Sequence, residues 1–324
     1  MHDFILIGGG PTGINCAIEA KKAHLDYVIL EKGVLVNSIF HFPANMTFFS
    51  TSKNLEIADV PFISHSDKPT RQEALEYYRR LLESFDLNIE FGVTVQGMHS
   101  KDGGYEVNTS EGTFKSKYVV IATGFYDKPN LMNVPGEDLP KVKHYYDEVH
   151  HYIRKKVLVV GGANSACDVA LECWQKGAEV TMAVREPELY QRVKYWILPN
   201  IENRIKEGSI KAYFNTNVKE IGPKSVILQT PEGEITLEND FVLAMTGYSP
   251  DYELLQNLGI DILNDELRTP VFDEDTLESN LPGVYLAGVV NGGLKTNKYF
   301  IENTRHHAEV IVRDIELKEG IAQF

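Results

Sequence analysis

The sequence predicts an α/β fold made of two Rossmann-like dinucleotide-binding domains, on three observations. Residues 4–7 are a short apolar run that leads directly into a G-x-G-x-x-G pattern at residues 8–13. A second apolar run ends in Glu31, 23 residues after the first glycine. The strand-turn-helix pattern then returns 153 residues later, beginning at Gly161. Such a repeat predicts two domains of one architecture, each with a phosphate-binding turn.

In the first copy, each glycine of the pattern has its own task. Gly8 allows the sharp turn from strand to helix, Gly10 lets a pyrophosphate approach the backbone, and Gly13 lets the helix press against the strand. The pyrophosphate lies at the N-terminus of a helix over residues 11–23, where free N–H groups favour negative charge. The Glu31 carboxylate can accept hydrogen bonds from ribose hydroxyls and repels a 2′-phosphate.

In the second copy, the glycine turn at residues 161–166 lies between a predicted strand (156–160) and a predicted helix (164–176). Alanine replaces the central glycine and adds one methyl group near the pyrophosphate. The next strand ends in Arg185 instead of an acid, so a forked guanidinium is available for a 2′-phosphate, and Lys194 adds charge. We therefore expect NADPH at the second site and a nucleotide with free ribose hydroxyls at the first.

The remaining elements place these two sites in a discontinuous arrangement. Two buried strands end in similar turns, at residues 118–124 and 241–247, and we interpret both turns as crossovers between the domains. The first domain then comprises residues 1–125 and 246–324, and the second comprises residues 126–245. Further predicted elements are an irregular segment at 33–69, a helix at 70–86, short antiparallel strands at 89–95, 104–109 and 112–116, a second meander at 210–237, and a C-terminal helix at about 299–317.

The composition limits the class of partner. The chain has 324 residues and a net charge of −14, which argues against nucleic acid and anionic membrane as partners. Its three cysteines, Cys16, Cys167 and Cys173, have neither the spacing of a metal site nor that of a disulfide framework, and they suit a reducing cytoplasm. No apolar run is long enough to span a membrane, and the first one lacks the basic flank of a signal peptide.

The order of these pieces resembles the flavoprotein disulfide reductases with two dinucleotide-binding domains, above all the thioredoxin-reductase branch, over nearly the whole chain. Within that group, five strings are similar to the bacillithiol-disulfide reductase family of the YpdA type. They are Gly-Gly-x-Asn-Ser-Ala-x-Asp at 161–168, Lys-Tyr-Trp-Ile-Leu-Pro-Asn at 194–200, Gly-Tyr-Ser-Pro-Asp-Tyr-Glu at 247–253, Thr-Phe-Phe-Ser at 47–50 and Ile-Glu-Asn at 301–303. The resemblance implies a cytoplasmic, NADPH- and FAD-dependent dimer or tetramer that reduces the disulfide of a low-molecular-weight thiol.

The motifs and the resemblance together indicate two sets of cofactor-binding residues and no metal ligands. The candidates for FAD are Gly8, Gly10, Pro11, Thr12, Gly13, Glu31, Lys32, Thr123, Gly124, Gly288, Val289 and Asn303. The candidates for NADPH are Gly161, Gly162, Asn164, Ser165, Arg185, Lys194 and Gly247. At Val289 the related motif usually has an aspartate, so binding at this point has to use backbone groups.

The chain departs from the related enzymes in its cysteines. It has no Cys-x-x-Cys pair, so a dithiol relay is not expected. Members of the YpdA-type family often carry a cysteine in the first phosphate turn, where this chain has Thr12. Cys16 lies one helical turn further on, and a helix N-terminus can lower the pKa of a thiol. We therefore expect electrons to reach the disulfide either directly from the flavin or through Cys16.

Other side chains are candidates for the surroundings of the flavin. His41, Phe48 and Phe49 lie in the irregular segment, which is long enough to suggest a function. His144 and His307 are weaker candidates for a proton donor, because histidine titrates near neutral pH. The N-terminal amides of the last helix, near residues 300–303, are expected to face an electron-rich ring.

Three alternatives remain open from the sequence. A flavin monooxygenase has similar turns around residues 122–136, although its F-x-G-x-x-x-H fingerprint is incomplete ahead of His144. A ferredoxin–NADP reductase of the thioredoxin-reductase-like type also lacks the cysteine pair. A non-catalytic redox sensor that holds FAD belongs to another class, and an appended interaction domain would favour it.

Overall fold

The structure, a computed structural model, describes residues 1–321, and the chain divides into two compact units. The first unit comprises residues 1–41, 45–128 and those from 248 onwards, and the second comprises 42–44 and 129–247. The strands are β1 (His2–Ile7), β2 (Tyr27–Glu31), β3 (Ile89–Phe91), β4 (Val95–Lys101), β5 (Gly104–Thr109), β6 (Gly112–Ile121), β7 (Lys128–Pro129), β8 (Val142–Lys143), β9 (Lys156–Val160), β10 (Glu179–Ala183), β11 (Lys211–Tyr213), β12 (Asn217–Ile221), β13 (Ser225–Thr230), β14 (Gly233–Glu238), β15 (Phe241–Ala244), β16 (Tyr248–Ser249) and β17 (Val284–Leu286). The α-helices are α1 (Pro11–Lys22), α2 (Asn37–Phe40), α3 (Arg71–Ser84), α4 (Asn164–Gln175), α5 (Leu198–Lys206), α6 (Tyr252–Asn257), α7 (Ile301–Thr304) and α8 (His307–Glu319).

A parallel sheet with the strand order β3-β2-β1-β6-β17 forms the centre of the first unit. Its middle strands are continuous apolar runs, and residues 4–7 of β1 are buried, as expected for a parallel sheet covered on both faces. The chain continues from β1 to β2 on one side, and β6 pairs with β1 on the other. The carboxyl end of β1 is therefore a topological switch point, where such folds bind nucleotides.

Strand β6 combines two kinds of pairing. Its first residues, Gly112–Ser116, pair antiparallel with β5, and Val119–Ile121 lie in the parallel sheet between β1 and β17. The predicted division into separate strands at 112–116 and 118–124 is therefore wrong. The predicted antiparallel strand at 89–95 is also wrong, because β3 pairs parallel with β2. An apolar pattern indicates a strand but not its partner, which explains both errors.

Two helix predictions have opposite outcomes. Helix α3 begins with the predicted capping box, in which Thr70 Oγ1 accepts from the backbone N–H of Glu73 and Glu73 Oε2 accepts from that of Thr70. A single C-terminal helix over 299–317 is wrong, since α7 is one turn long and α8 starts separately at His307. The side chain of Asn303 accepts the backbone N–H of Phe300 and so caps the N-terminal end of α7.

The second unit is built in the same way. Its parallel sheet has the order β11-β10-β9-β15-β8, and an antiparallel meander of β12, β13 and β14 is attached to the chain between β11 and β15. Helix α4 follows β9 as predicted, and residues 166, 167 and 170 on it are fully buried. Both units thus have the predicted α/β architecture with Rossmann-like sheets. No helix in the described part of the chain is long and apolar enough to cross a membrane.

Candidate dinucleotide-binding sites

The first glycine turn, between β1 and α1, tolerates no side chain at two of its positions. Gly8 has a φ of +111°, and a Cβ there would lie 2.6 Å from the carbonyl oxygen of Ala122. A Cβ at Gly13 would lie 2.0 Å from the carbonyl oxygen of Gly8. By contrast, a Cβ at Gly10 meets no atom within 4 Å, and no side chain caps this end of α1. The turn therefore leaves open space in front of the backbone amides that begin the helix at Pro11.

Glu31 is fixed beside this turn. The side chain is 95% buried, its Oε2 accepts the N–H of Gly9 at 2.7 Å, and its Oε1 accepts the N–H of Gly33 at 2.8 Å. Burial raises the pKa of Glu31, and the two backbone hydrogen bonds oppose that rise. Each carboxylate oxygen can accept a further hydrogen bond, which suits a ribose diol. The neighbouring Lys32 pairs with Asp127 at 2.9 Å.

The loops after β6 and β17 lie at the same edge of the sheet as the first glycine turn. Gly124 follows β6 with a φ of +72°, and a Cβ there would be 3.8 Å from the Val289 side chain. Gly288 follows β17, and a Cβ there would be 2.7 Å from Oγ1 of Thr12 on α1. The structure thus brings together the predicted residues of three separate motifs. Thr123 occupies the same loop as Gly124.

His307 is hydrogen-bonded to the backbone of the loop at Gly288. Its Nδ1 accepts the N–H of Gly288 at 3.0 Å, and the ring is 98% buried. Burial and the neighbouring His306 lower the pKa of His307 to about 4, so the ring is neutral near pH 7. In this state Nδ1 accepts a backbone hydrogen bond, and the proton-donor role considered for His307 stays a prediction. The hydrogen bond joins residues 19 positions apart, so no local sequence pattern could predict it.

Asn303 uses its side chain within its own turn. Its Oδ1 accepts the N–H of Phe300 at 2.7 Å, and its Nδ2 donates to the carbonyl of Lys298 at 2.9 Å. Asn303 as a cofactor-binding residue stays a prediction, and its side chain is already committed to these two contacts. The expected dipole of a long final helix at this point is wrong, because α7 is a single turn.

The catalytic candidates have different surroundings. Cys16 is completely buried, and its burial and the nearby Glu19 raise the pKa of its thiol to about 12. The expected lowering of that pKa is therefore wrong, because α1 buries this face of the helix. Cys167 and Cys173 are also buried thiols with pKa values raised to about 12 by burial. A thiolate at any of the three positions is strongly disfavoured at neutral pH.

The aromatic candidates occupy the irregular segment of the first unit. Phe48 is buried, whereas Phe49 is 56% exposed and has the ammonium of Lys68 5.0 Å from its ring centre. The carbonyl of His41 accepts a hydrogen bond from the Tyr126 hydroxyl at 3.1 Å. His41 and Phe49 remain predictions as flavin neighbours.

The second glycine turn repeats the geometry of the first. Gly161 has a φ of +127°, and a Cβ there would lie 2.6 Å from the carbonyl oxygen of Met245. A Cβ at Gly162 would lie 2.7 Å from the Val184 side chain. The methyl group of Ala163, at the N-cap of α4, is exposed, as is Ser165 in the first turn of the helix. The alanine that replaces the central glycine therefore causes no internal clash.

Arg185 and Gly247 occupy the two loops next to this turn. The side chain of Arg185, two residues after the end of β10, is 79% exposed, and its Nε lies 3.2 Å from Glu186. In the first unit a Cβ at Gly9 would face Glu31, and in the second a Cβ at Gly162 would face Val184, so Arg185 lies one residue beyond the position that corresponds to Glu31. Gly247 has a φ of +87°, and a Cβ there would be 3.3 Å from the side-chain amide of Asn130.

Two other candidates are committed to protein contacts. The ammonium of Lys194 is largely buried and donates to Asp168 at 2.7 Å, so the predicted additional charge for a phosphate is neutralised. The Oδ1 of Asn164 accepts the backbone N–H of Lys194 at 2.8 Å. Sequence reasoning missed Asp168 as the partner. The available signal was its position four residues after Asn164, on the same face of α4.

Comparison with known proteins places these features in a family. The family model for pyridine nucleotide-disulphide oxidoreductases matches residues 5–288. The bacilliredoxin reductase Bdr of Bacillus subtilis (strain 168) is 43% identical over 318 residues, which is 98% of both chains. The structures of bacillithiol disulfide reductase Bdr (YpdA) from Staphylococcus aureus and from Bacillus cereus are 38% and 40% identical, each with a TM-score of 0.95 over 98% of this chain and 99% of that chain.

Proteins named for the alternative functions have lower sequence identity to this chain. A ferredoxin–NADP reductase of Ignicoccus hospitalis is 23% identical over 300 residues, which is 89% of this chain and 90% of the relative. The structure of a flavin monooxygenase from Stenotrophomonas maltophilia is 21% identical with a TM-score of 0.79 over 98% of both chains, which shows the fold alone.

Proposed function

The chain belongs to the pyridine nucleotide-disulphide oxidoreductase family and, within it, to the Bdr (YpdA) reductases, and from this membership we propose that it reduces bacillithiol disulfide with electrons from NADPH. It is a flavoprotein oxidoreductase whose cofactors are FAD and a pyridine nucleotide. The finer assignments are proposals: FAD in the first unit, NADPH in the second, a location in the cytoplasm, and a homo-oligomeric assembly. The observation that carries the NADPH assignment is the exposed Arg185, one residue beyond the position that corresponds to Glu31 in the other unit, where Val184 supplies no carboxylate.

The residues of the first unit fit FAD. The open space before Gly10 and the uncapped start of α1 match a pyrophosphate, and the fixed carboxylate of Glu31 matches a ribose diol. The second unit fits NADPH in a corresponding way, with a second glycine turn and an exposed guanidinium in place of the carboxylate.

The chain's own residues bind and orient these groups. Bound FAD supplies the two-electron chemistry that connects a nicotinamide to a disulfide. Glu31 selects a ribose with free hydroxyls, and the loops at Gly124 and Gly288 provide close backbone approach at the sheet edge. Because the three cysteines are buried thiols, the proposal assigns no covalent step to the chain. Thr12 stands where related proteins often have a cysteine, which agrees with that assignment.

The test is an acceptor assay on the purified yellow holoprotein. NADPH or NADH is supplied with bacillithiol disulfide, coenzyme A disulfide or glutathione disulfide, and nucleotide oxidation is followed by absorbance. We expect turnover with NADPH and bacillithiol disulfide, and little with the other pairs. Turnover only with ferredoxin, or rapid oxidation by oxygen alone, contradicts the proposal.

One relative's name points to a second acceptor. The Bacillus subtilis protein is named as a bacilliredoxin reductase, whereas the two solved structures are named for bacillithiol disulfide. The assay therefore includes oxidised bacilliredoxin with and without bacillithiol. Reduction of the protein disulfide without bacillithiol would identify the protein as the direct acceptor.

A further inference from the structure

The chain between β10 and α5 is attached to the second glycine turn at two points. The backbone N–H of Tyr190 donates to the carbonyl of Gly162 at 2.9 Å, and that of Lys194 donates to Oδ1 of Asn164 at 2.8 Å. We call residues 189–194 the anchored loop. Both acceptors belong to residues that form the turn or begin α4.

An ion pair between a buried lysine and a partly exposed aspartate forms a third attachment of the anchored loop. The Lys194 ammonium donates to Asp168 Oδ2 at 2.7 Å, and it lies 5.9 Å from the ring centre of Trp196. The side chain of Lys194 is 9% exposed and that of Asp168 is 32% exposed. Burying an ammonium is unfavourable, and apolar residues often replace such pairs without loss of stability. The pair therefore has a better explanation in the geometry that it fixes than in stability.

The anchored loop is buried at both ends and exposed in the middle, at residues 190–192. Leu189 and Val193 are buried in the core of the second unit, and Arg192 between the two anchors is exposed. Arg192 is the exposed guanidinium of the anchored loop, and Arg185, which precedes the loop, is a second exposed guanidinium between β10 and α5. Asp168, one turn into α4, opposes a bound pyrophosphate unless its charge is neutralised, and Lys194 provides that neutralisation.

We propose that Asp168 is a positioning residue for nucleotide binding, which through Lys194 holds the anchored loop against the glycine turn. This inference rests on the proposed use of NADPH by the second unit. It assigns to the ion pair an effect on the KM for NADPH and none on the rate of the later chemistry. In the alternative, Lys194 binds the phosphate directly, and its ion pair with Asp168 competes with that binding.

The two roles of Lys194, as an anchor of the loop and as a direct phosphate ligand, predict opposite changes in the KM for NADPH when Asp168 is replaced. In Asp168→Ala, we expect the KM for NADPH to rise roughly tenfold with kcat within about twofold of wild type, as when a charged hydrogen bond is lost. Asp168→Asn keeps an acceptor for Lys194 and should restore most of the affinity. A lower KM in Asp168→Ala shows that Lys194 is a restrained phosphate ligand and overturns the proposal.

A readout without nucleotide turnover tests the anchoring itself. Trypsin cleavage after Arg192, followed by mass spectrometry on the holoprotein without NADPH, should be faster in Asp168→Ala than in wild type. Lys194→Met should show the same increase, and it leaves a carboxylate that is one-third exposed and solvated, so this variant is expected to fold. Unchanged cleavage in Lys194→Met contradicts the proposal even if Asp168→Ala does not fold.

The matched control is Lys219→Met, which removes an exposed ion pair with Glu234 in the same unit. Its KM and its cleavage after Arg192 should equal those of wild type, since exposed pairs contribute little. If the wild-type protein does not use NADPH, the proposed function fails, and the cleavage experiment still decides whether Asp168 anchors the loop.

Discussion

Acidification is expected to destabilise the first unit through one buried histidine. His307 is 98% buried, and its neutral Nδ1 accepts the backbone N–H of Gly288 at 3.0 Å. Burial, which penalises the charged ring, and the neighbouring His306 lower the pKa of His307 from 6.5 to about 4 in the folded protein. The unfolded chain therefore binds this proton at higher pH than the folded chain does.

The size and the pH window of the effect follow from linkage. The contribution is fully present above about pH 6.5 and is lost as the pH falls towards 4, because the unfolded state binds more protons in that window. The shift from 6.5 to about 4 corresponds to about 3 kcal/mol of unfolding free energy. Between pH 7.5 and pH 5, about 2 kcal/mol should be lost.

The assay compares urea unfolding of wild type and His307→Asn at the two pH values. Asparagine offers an oxygen near the position of Nδ1 and does not titrate in this range, so the variant should lose about 2 kcal/mol less than wild type on acidification. Because the smaller side chain leaves a cavity, only the pH-dependent difference within each protein is compared. Circular dichroism reports both units, whereas Trp174 and Trp196 report the second unit only.

The control is His24→Asn, which replaces an exposed histidine and should keep the pH dependence of wild type. An identical loss of stability in wild type and His307→Asn between pH 7.5 and pH 5 would refute the reasoning. It would mean that the buried ring does not resist protonation.

Three further predictions concern the two sites. Cys16→Ala should leave turnover with bacillithiol disulfide within about twofold of wild type, because a buried thiol takes no part; a large loss would restore the relay through Cys16. Arg185→Ala should raise the KM for NADPH roughly tenfold in steady-state assays and leave the KM for NADH unchanged. Arg80→Ala, which removes another exposed guanidinium, is the control. An equal rise in KM for both nucleotides would show that Arg185 does not recognise the 2′-phosphate. Gly8→Ala should lower the free energy of unfolding by about 2 kcal/mol or more, measured by thermal unfolding, and should lower the flavin content, measured by absorbance. Gly103 also has a positive φ, but a Cβ there meets no described atom within 4 Å, so Gly103→Ala should retain its flavin.

Several features of this protein are encoded locally and were predictable. The turns at Gly8 and Gly161 need positive φ and close backbone contact, and only glycine supplies both, so spacing alone identifies them. The capping box of α3 is equally local, because Thr70 and Glu73 lie within one turn. Glu31 was predictable because a strand of fixed length delivers its last residue to the same sheet edge as the turn.

Only the tertiary structure decided which partner each polar or reactive group has. Lys194 carries the positive charge that a phosphate ligand needs, but folding places its ammonium against Asp168, 26 residues away in the sequence. Cys16 lies in the second turn of α1, but burial of that helix face raises the pKa of its thiol. The hydrogen bond from Gly288 to His307 likewise depends on how α8 approaches the sheet. Backbone geometry is set by neighbouring residues, whereas burial and charge pairing depend on distant segments, and a single sequence does not show which of those segments meet.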